Sequence, residues 1–119
     1  MLPSKNRLKK KINFARIEID GSMYQSKSFG MGVFNRNDND PSRFGFIIST
    51  KISKKAVIRN RIKRIMAEVI RKNLVNIKNG YDVLFLIKHQ AVKIAKIELE
   101  NETYASIIKN IQTDSRISN

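Results

Sequence analysis

The sequence predicts an α/β (α+β) two-layer sandwich, one sheet with helices packed on it, in a single domain over residues 1–119. Three observations predict it. Hydrophobic residues make up 41% of the 119, which suits a folded globule with a modest core rather than a disordered basic tail. The apolar period changes along the chain, from alternation before residue 50 to three- and four-residue spacings over 58–69 and 99–111. No internal repeat, low-complexity tract or linker divides it. The resulting order of helix, strands, helix, strand and helix places the helices on one side of the sheet.

Residues 1–11 are polar and basic, with Lys5, Arg7, Lys9, Lys10 and Lys11. They read as a mobile basic arm leading into a short helix, of the kind that orders against nucleic acid. Ile12, Phe14, Ile17 and Ile19 follow at spacings compatible with helix or extended chain, and Asp20-Gly21-Ser22 is a turn. From Ser28 to Phe34 the chain alternates, with Phe29, Met31 and Val33 on one face and only Gly30 and Gly32 on the other. That is a strand with one bare face. The polar loop of residues 35–42 separates it from a second strand, in which Phe44, Phe46 and Ile48 face alike. A hairpin joining the two strands through this loop is the natural expectation.

The next element is a densely basic helix. Ile58, Ile62, Ile65, Met66 and Val69 form one apolar stripe. At roughly 100° per residue, Asn60, Arg61, Arg64, Arg71 and Lys72 project away from it, while Arg59 and Lys63 flank it. Lys78-Asn79-Gly80 ends the helical segment with a glycine near its C-cap. Residues 83–87, Val-Leu-Phe-Leu-Ile, form a continuous apolar run of strand length that belongs in the sheet interior. From Ala95 or Ile97 onward, Leu99, Tyr104, Ile107, Ile108 and Ile111 mark a last amphipathic helix, and the tail from Thr113 frays.

Charge narrows the function. Against 24 Lys+Arg stand 10 Asp+Glu, a net +14 that calls for a polyanionic partner, nucleic acid before an anionic membrane surface. A solvated helix face mixes signs, yet Glu68 is the one acid in the basic helix. No apolar run approaches the ~20 residues that span a bilayer. No secretory signal is expected at the N-terminus, and the absence of cysteine fits a cytoplasmic setting. A stand-alone nuclease needs a base, a metal cage or an activated nucleophile. Here His89 is the one histidine and reads as a surface residue after Lys88, while Asp38 and Asp40 read as turn formers. No metal ligands are expected, and the chain does not bring its own catalyst.

Ser49, Lys51, Ala56-Val57 and Arg59-Asn60-Arg61-Ile62-Lys63-Arg64 resemble the signature of the protein subunit of bacterial ribonuclease P, written S-K-K-x-G-x-A-V-x-R-N-R-x-K-R. Thr50 and Ser53 depart from it, at a usual lysine and a usual glycine, and two residues, Lys54-Lys55, stand between Ser53 and Ala56 where the pattern has one. Asn6-Arg7-Leu8-Lys9, Phe14, Gly21, Arg43-Phe44-Gly45 and Gly80-Tyr81-Asp82-Val83 extend the similarity over about residues 6 to 112. The resemblance implies an α-β-β-β-α-β-α, ribosomal-protein-S5-domain-2-like fold with a left-handed strand-helix-strand crossover, against the usual hand.

It also implies a division of labour. The catalytic RNA removes the 5′ leader of precursor tRNA by metal-assisted hydrolysis, and Mg2+ is held chiefly by RNA. By position, Lys51, Lys54, Lys55, Arg59, Asn60, Arg61, Lys63, Arg64 and Lys88 would bind RNA. Phe14, Arg16 and Arg43 would line a cleft for the single-stranded leader, where aromatics stack bases. Glu18 and Gly32 stand where the family often has aromatics. Phe29 and Phe44 read as core residues; Phe14 reads equally as core or as a stacking residue. A ribosomal or rRNA-assembly protein is the alternative, sharing charge and size but not needing the Arg-Asn-Arg-x-x-Arg spacing. DNA is disfavoured as a partner, because no helix-turn-helix pair precedes the basic helix.

Overall fold

The structure is a computed structural model and describes residues 2–111. Helix α1 is Lys11–Asp20, followed by strands β1 (Ser22–Gln25), β2 (Phe29–Asn35) and β3 (Arg43–Ile47). The long helix α2 (Ala56–Asn73), strand β4 (Tyr81–Ile87), a single turn α3 (Gln90–Lys93) and helix α4 (Lys96–Asn110) complete it. The strands lie in the order β1-β2-β4-β3. β1 with β2 and β2 with β4 are antiparallel, whereas β3 runs parallel to β4.

The expected hairpin between β2 and β3 does not form, because β4 lies between them. The physical reason is in β4, whose apolar residues alternate to both faces and whose backbone needs partners on both sides. The polar loop then has to cross the end of β4. It is fastened there by Arg36 N–H to the Gly80 carbonyl at 2.7 Å and Gly80 N–H to the Asp40 carbonyl at 2.9 Å. Gly80 therefore serves the loop rather than a helix C-cap. It has φ +100°, and a Cβ there would sit 2.7 Å from the Asp38 carbonyl oxygen. Helix α2 ends earlier, at Asn73, and passes into a 3-10 turn at Leu74–Asn76.

Helices cover both faces of the sheet, not one. On one face Phe29, Met31, Val33, Phe44, Val83 and Phe85 meet Ile62, Ile65, Met66 and Ile70 of α2 and Leu99 and Ile107 of α4. The Phe85 ring receives Phe29 edge-on and stacks on Phe46, both at 5.4 Å. Phe29 and Phe44 are thus core residues, as expected. On the other face Ile17 of α1 packs with Leu8 and Leu84. The bare strand face is what admits α1, since a Cβ at Gly32 would meet Ile17 Cγ2 at 2.7 Å. The chain at Ile12–Ile19, undecided between helix and strand, is helical.

Two further expectations change. The basic arm is seated rather than free, because Leu2 and Leu8 are buried and Asn6 donates its side-chain N–H to the Ser42 carbonyl at 2.8 Å. In α4, Tyr104 is 43% exposed and Thr103 takes the buried position, one residue out of the expected phase. The tail expected to fray, 113–119, lies outside the described residues.

Candidate nucleic-acid interface

Helix α2 presents its charge because its other side is committed to the core. Ile62, Ile65, Met66, Ala67, Val69 and Ile70 are buried, which fixes the helix rotation. Asn60, Arg61 and Arg64 are then exposed, with Arg59 and Lys63 half-buried at the stripe's edges. Glu68 binds Arg71 through Nε at 3.0 Å, which holds its carboxyl below the usual range. Among the described residues Arg61, Lys63 and Arg64 form no ion pair, so their charge is uncompensated.

The turn before α2 adds Lys51, Lys54 and Lys55, all exposed. Side-chain oxygens shape it: Lys51 N–H donates to Ser49 Oγ at 3.0 Å and Lys55 N–H to Ser53 Oγ at 3.3 Å. Arg59 Nη1 donates to the Ser53 carbonyl at 2.7 Å, tying the helix to the turn. Ser53, where the resemblance has glycine, carries no strain, because Asn37 is the only non-glycine residue with positive φ among the described residues. Lys88 stands apart from this group. Its ammonium donates to the Ser26 carbonyl at 2.8 Å and holds the turn between β1 and β2.

A second basic site lies between α1 and the sheet, around Asp82. This carboxylate is fully buried and faces three guanidinium groups. Arg43 grips it with Nε at 2.8 Å and Nη2 at 2.7 Å, Arg16 reaches it with Nη2 at 3.1 Å, and Arg36 completes the set. Burial by itself raises the Asp82 pKa, but hydrogen bonds from Arg43 and Arg36 outweigh it, so the group sits below the ordinary carboxylate range. Arg36 is shared with Asp38, so two acids order three cations and one positive charge is left over.

Above them opens a cleft of about 340 Å³, lined by Lys5, Asn13, Arg16, Arg36 and Arg43, with Asp38 and Asp40 at its wall. Arg16 also lies over the Phe34 ring, 4.7 Å from its centroid. Asp38 and Asp40 are turn formers as expected: Asp40 N–H donates to Asp38 Oδ1 at 3.1 Å, and Arg36 binds the Asp38 carboxylate. Phe14 is half-buried against the backbone of Gly45, where a Cβ would come within 3.2 Å of its ring. It serves packing with one part of the ring and leaves the rest open. Glu18 is exposed, and Gly32 is capped by Ile17, so neither position offers a stacking surface.

The resemblance placed Phe14, Arg16 and Arg43 in one cleft; the structure brings Arg16 and Arg43 onto one carboxylate, while Phe14 packs on Gly45 and is not among the residues lining the cleft. Sequence reasoning missed Arg36 and the part played by Asp82. The available signal was an acid directly before an apolar strand run in a chain with only 10 acids. His89 is exposed at the start of α3. No helix among the described residues is long and apolar enough to cross a membrane.

Known proteins resemble this chain over nearly all of its length. The family model described as Ribonuclease P matches residues 2–111. The "Ribonuclease P protein component" of Fusobacterium nucleatum is 42% identical over 83 residues, covering 70% of this chain and 73% of that protein. The protein of the same name from Pseudanabaena is 29% identical over 117 residues, covering 98% and 97%. Among solved structures, the RNase P protein of Staphylococcus aureus superposes with a TM-score of 0.81 at 25% identity, over 89% of this chain and 96% of that one. With the basic helix, the mixed sheet and the residues 2–111 all accounted for, the chain belongs to the ribonuclease P protein family, as the protein subunit of that enzyme.

Proposed function

We propose that this subunit is one RNA-binding domain that holds the catalytic RNA on α2 and the single-stranded 5′ leader of precursor tRNA in the α1–sheet cleft. The observation that carries the reading is the basic face of α2, where Glu68 is taken up by Arg71 and Arg61, Lys63 and Arg64 keep no ion pair among the described residues, held in place by the buried stripe behind it. Lys51, Lys54, Lys55, Arg59, Asn60, Arg61, Lys63 and Arg64 bind phosphates and base edges of the RNA, with Arg supplying forked donors. Lys88 contributes charge through the β1–β2 turn that it braces. Arg16 and Arg43 in the cleft steer the leader backbone, and Phe14 of α1, packed on Gly45 outside the cleft's lining, offers a partial stacking surface.

Hydrolysis belongs to the RNA in this reading. The described residues contain no group of three His, Cys, Asp or Glu side chains placed to hold a metal ion together. Magnesium is held mainly by RNA phosphates. The reading also takes β3–α2–β4 as the left-handed crossover of a ribosomal-protein-S5-domain-2-like fold, and places the subunit in the cytoplasm, where precursor tRNA is made.

The test is reconstitution with precursor and mature tRNA at one salt and magnesium concentration. RNA with protein is expected to cut at the 5′ boundary of the tRNA, and protein alone not at all. Phe14→Ala is expected to lose about 1–3 kcal/mol of affinity for precursor tRNA and nothing for mature tRNA. Specific cleavage by RNA-free protein, or equal losses on both substrates, would overturn the respective assignment.

A further inference from the structure

The sheet ends at β3, and among the described residues one backbone bridge covers its outer edge. Arg7 bridges Phe44, and Leu8 N–H donates to the Phe44 carbonyl at 2.9 Å. That bond fixes which way the backbone faces. The Phe44 carbonyl points outward, so the N–H and C=O of Phe46, two residues on, point outward as well. No strand among the described residues pairs with them. Beside them lies a slot of about 180 Å³ walled by Leu8, Phe44, Phe46 and Ala67, with Arg7 and Lys63 as its cations. It is smaller than the roughly 300–1,000 Å³ of sites for drug-sized ligands, which limits it to a single ring system.

We propose that this slot takes one unstacked nucleobase of the catalytic RNA. Apolar walls accept the faces of a flat ring. An edge-strand N–H and C=O side by side offer the donor and acceptor that a base edge matches. Arg7 and Lys63 supply the charge for the phosphates flanking that base. A lipid chain or an apolar peptide side chain would use the walls but neither the cations nor the strand edge. The RNA subunit is the source, rather than the leader, because Lys63 belongs to α2, between Ile62 of the core stripe and the exposed Arg64. The proposal rests on the reading of α2 given above, and gives its half-buried lysine a separate task.

Amide spectra of the full-length protein test it with two probes, adenosine monophosphate and ribose 5-phosphate. The first is expected to shift Gly45, Phe46 and Ala67, and the second, with the same phosphate but no base, to leave them in place. In the holoenzyme, single abasic substitutions across the protein footprint of the RNA are expected to reveal one position that costs about tenfold in affinity. That cost should vanish against Ala67→Met, which fills the slot, with a melting curve to establish that the variant folds. If Ala67→Met does not fold, the two-probe comparison decides alone. Unmoved amides, or equal shifts from both probes, would sink the slot. If the slot fails while wild-type protein still binds the RNA tightly, the broader reading of α2 stands; loss of RNA binding itself would remove both.

Discussion

Asp82 shows how much one side chain decides here. It is buried, and three arginines from α1, the loop after β2 and the start of β3 converge on it. Removing the shared carboxylate takes away charge-assisted hydrogen bonds from three arginines, although Arg36 keeps Asp38 and Arg16 and Arg43 reach solvent. Asp82→Asn is therefore expected to cost about 1.5–3 kcal/mol in chemical denaturation at neutral pH. The pH dependence has a definite sign. The folded-state pKa lies below the ordinary 3.8, so the stabilisation is fully present above 3.8 and is lost as pH falls through the lower folded value. Denaturation curves taken downward from pH 6 should show this loss for the wild type and a smaller slope for Asp82→Asn. Equal slopes would place the carboxylate outside the stability balance.

Gly32 makes the same point for packing. Replacing a strand glycine by alanine ordinarily helps, but here the new methyl would meet Ile17 Cγ2 at 2.7 Å and Met23 Sδ at 3.0 Å. Gly32→Ala should cost about 1–3 kcal/mol, as overpacking does, and Ile17→Ala in the same chain should recover part of it. Additive losses in that double variant would show that the two residues do not compete for one space. The alternation of residues 28–34 made the bare face legible in the sequence. That α1 fills it was not legible, because a glycine does not say what approaches it.

At the scale of elements, α2 separates folding from binding. Its apolar stripe was visible from three- and four-residue spacings, and the structure buries Ile62, Ile65, Met66 and Val69 as that phase requires. Ile62→Ala should cost about 2–5 kcal/mol of stability as a core truncation. Arg61→Ala and Arg64→Ala should leave the melting temperature nearly unchanged and weaken RNA binding by about 1–3 kcal/mol each. Arg59→Ala should do both, because its guanidinium also holds the Ser53 carbonyl. Melting curves and RNA titrations on the four variants decide this. Unfolding of the Arg61 and Arg64 variants would mean that the basic face is structural.

Over the whole molecule, the +14 charge sets how binding answers to salt. If α2, its preceding turn and the cleft together engage roughly 6–10 phosphates, affinity should fall about 10³–10⁵-fold between 50 and 200 mM salt. The slope should shrink by about one for each phosphate-binding arginine removed. A slope near zero would show that base contacts and shape, not counterion release, hold the RNA.

The sequence by itself determined the types of β2, β3, β4, α2 and α4, the rotation of α2 and the need for a polyanionic partner, because apolar period and charge are local properties of the chain. It also placed β4 in the sheet interior, since a continuous apolar run needs cover on both faces. Only the tertiary structure decided the rest. Strand order depends on which backbone edges meet, and the loop at 35–42 reads the same whether it closes a hairpin or crosses the end of β4. The seating of the N-terminal arm rests on Leu2 and Leu8 finding the core, against a local composition that reads as solvated. The cluster at Asp82 assembles residues from four elements spread over positions 16 to 82, and no short-range pattern encodes a contact made at that separation.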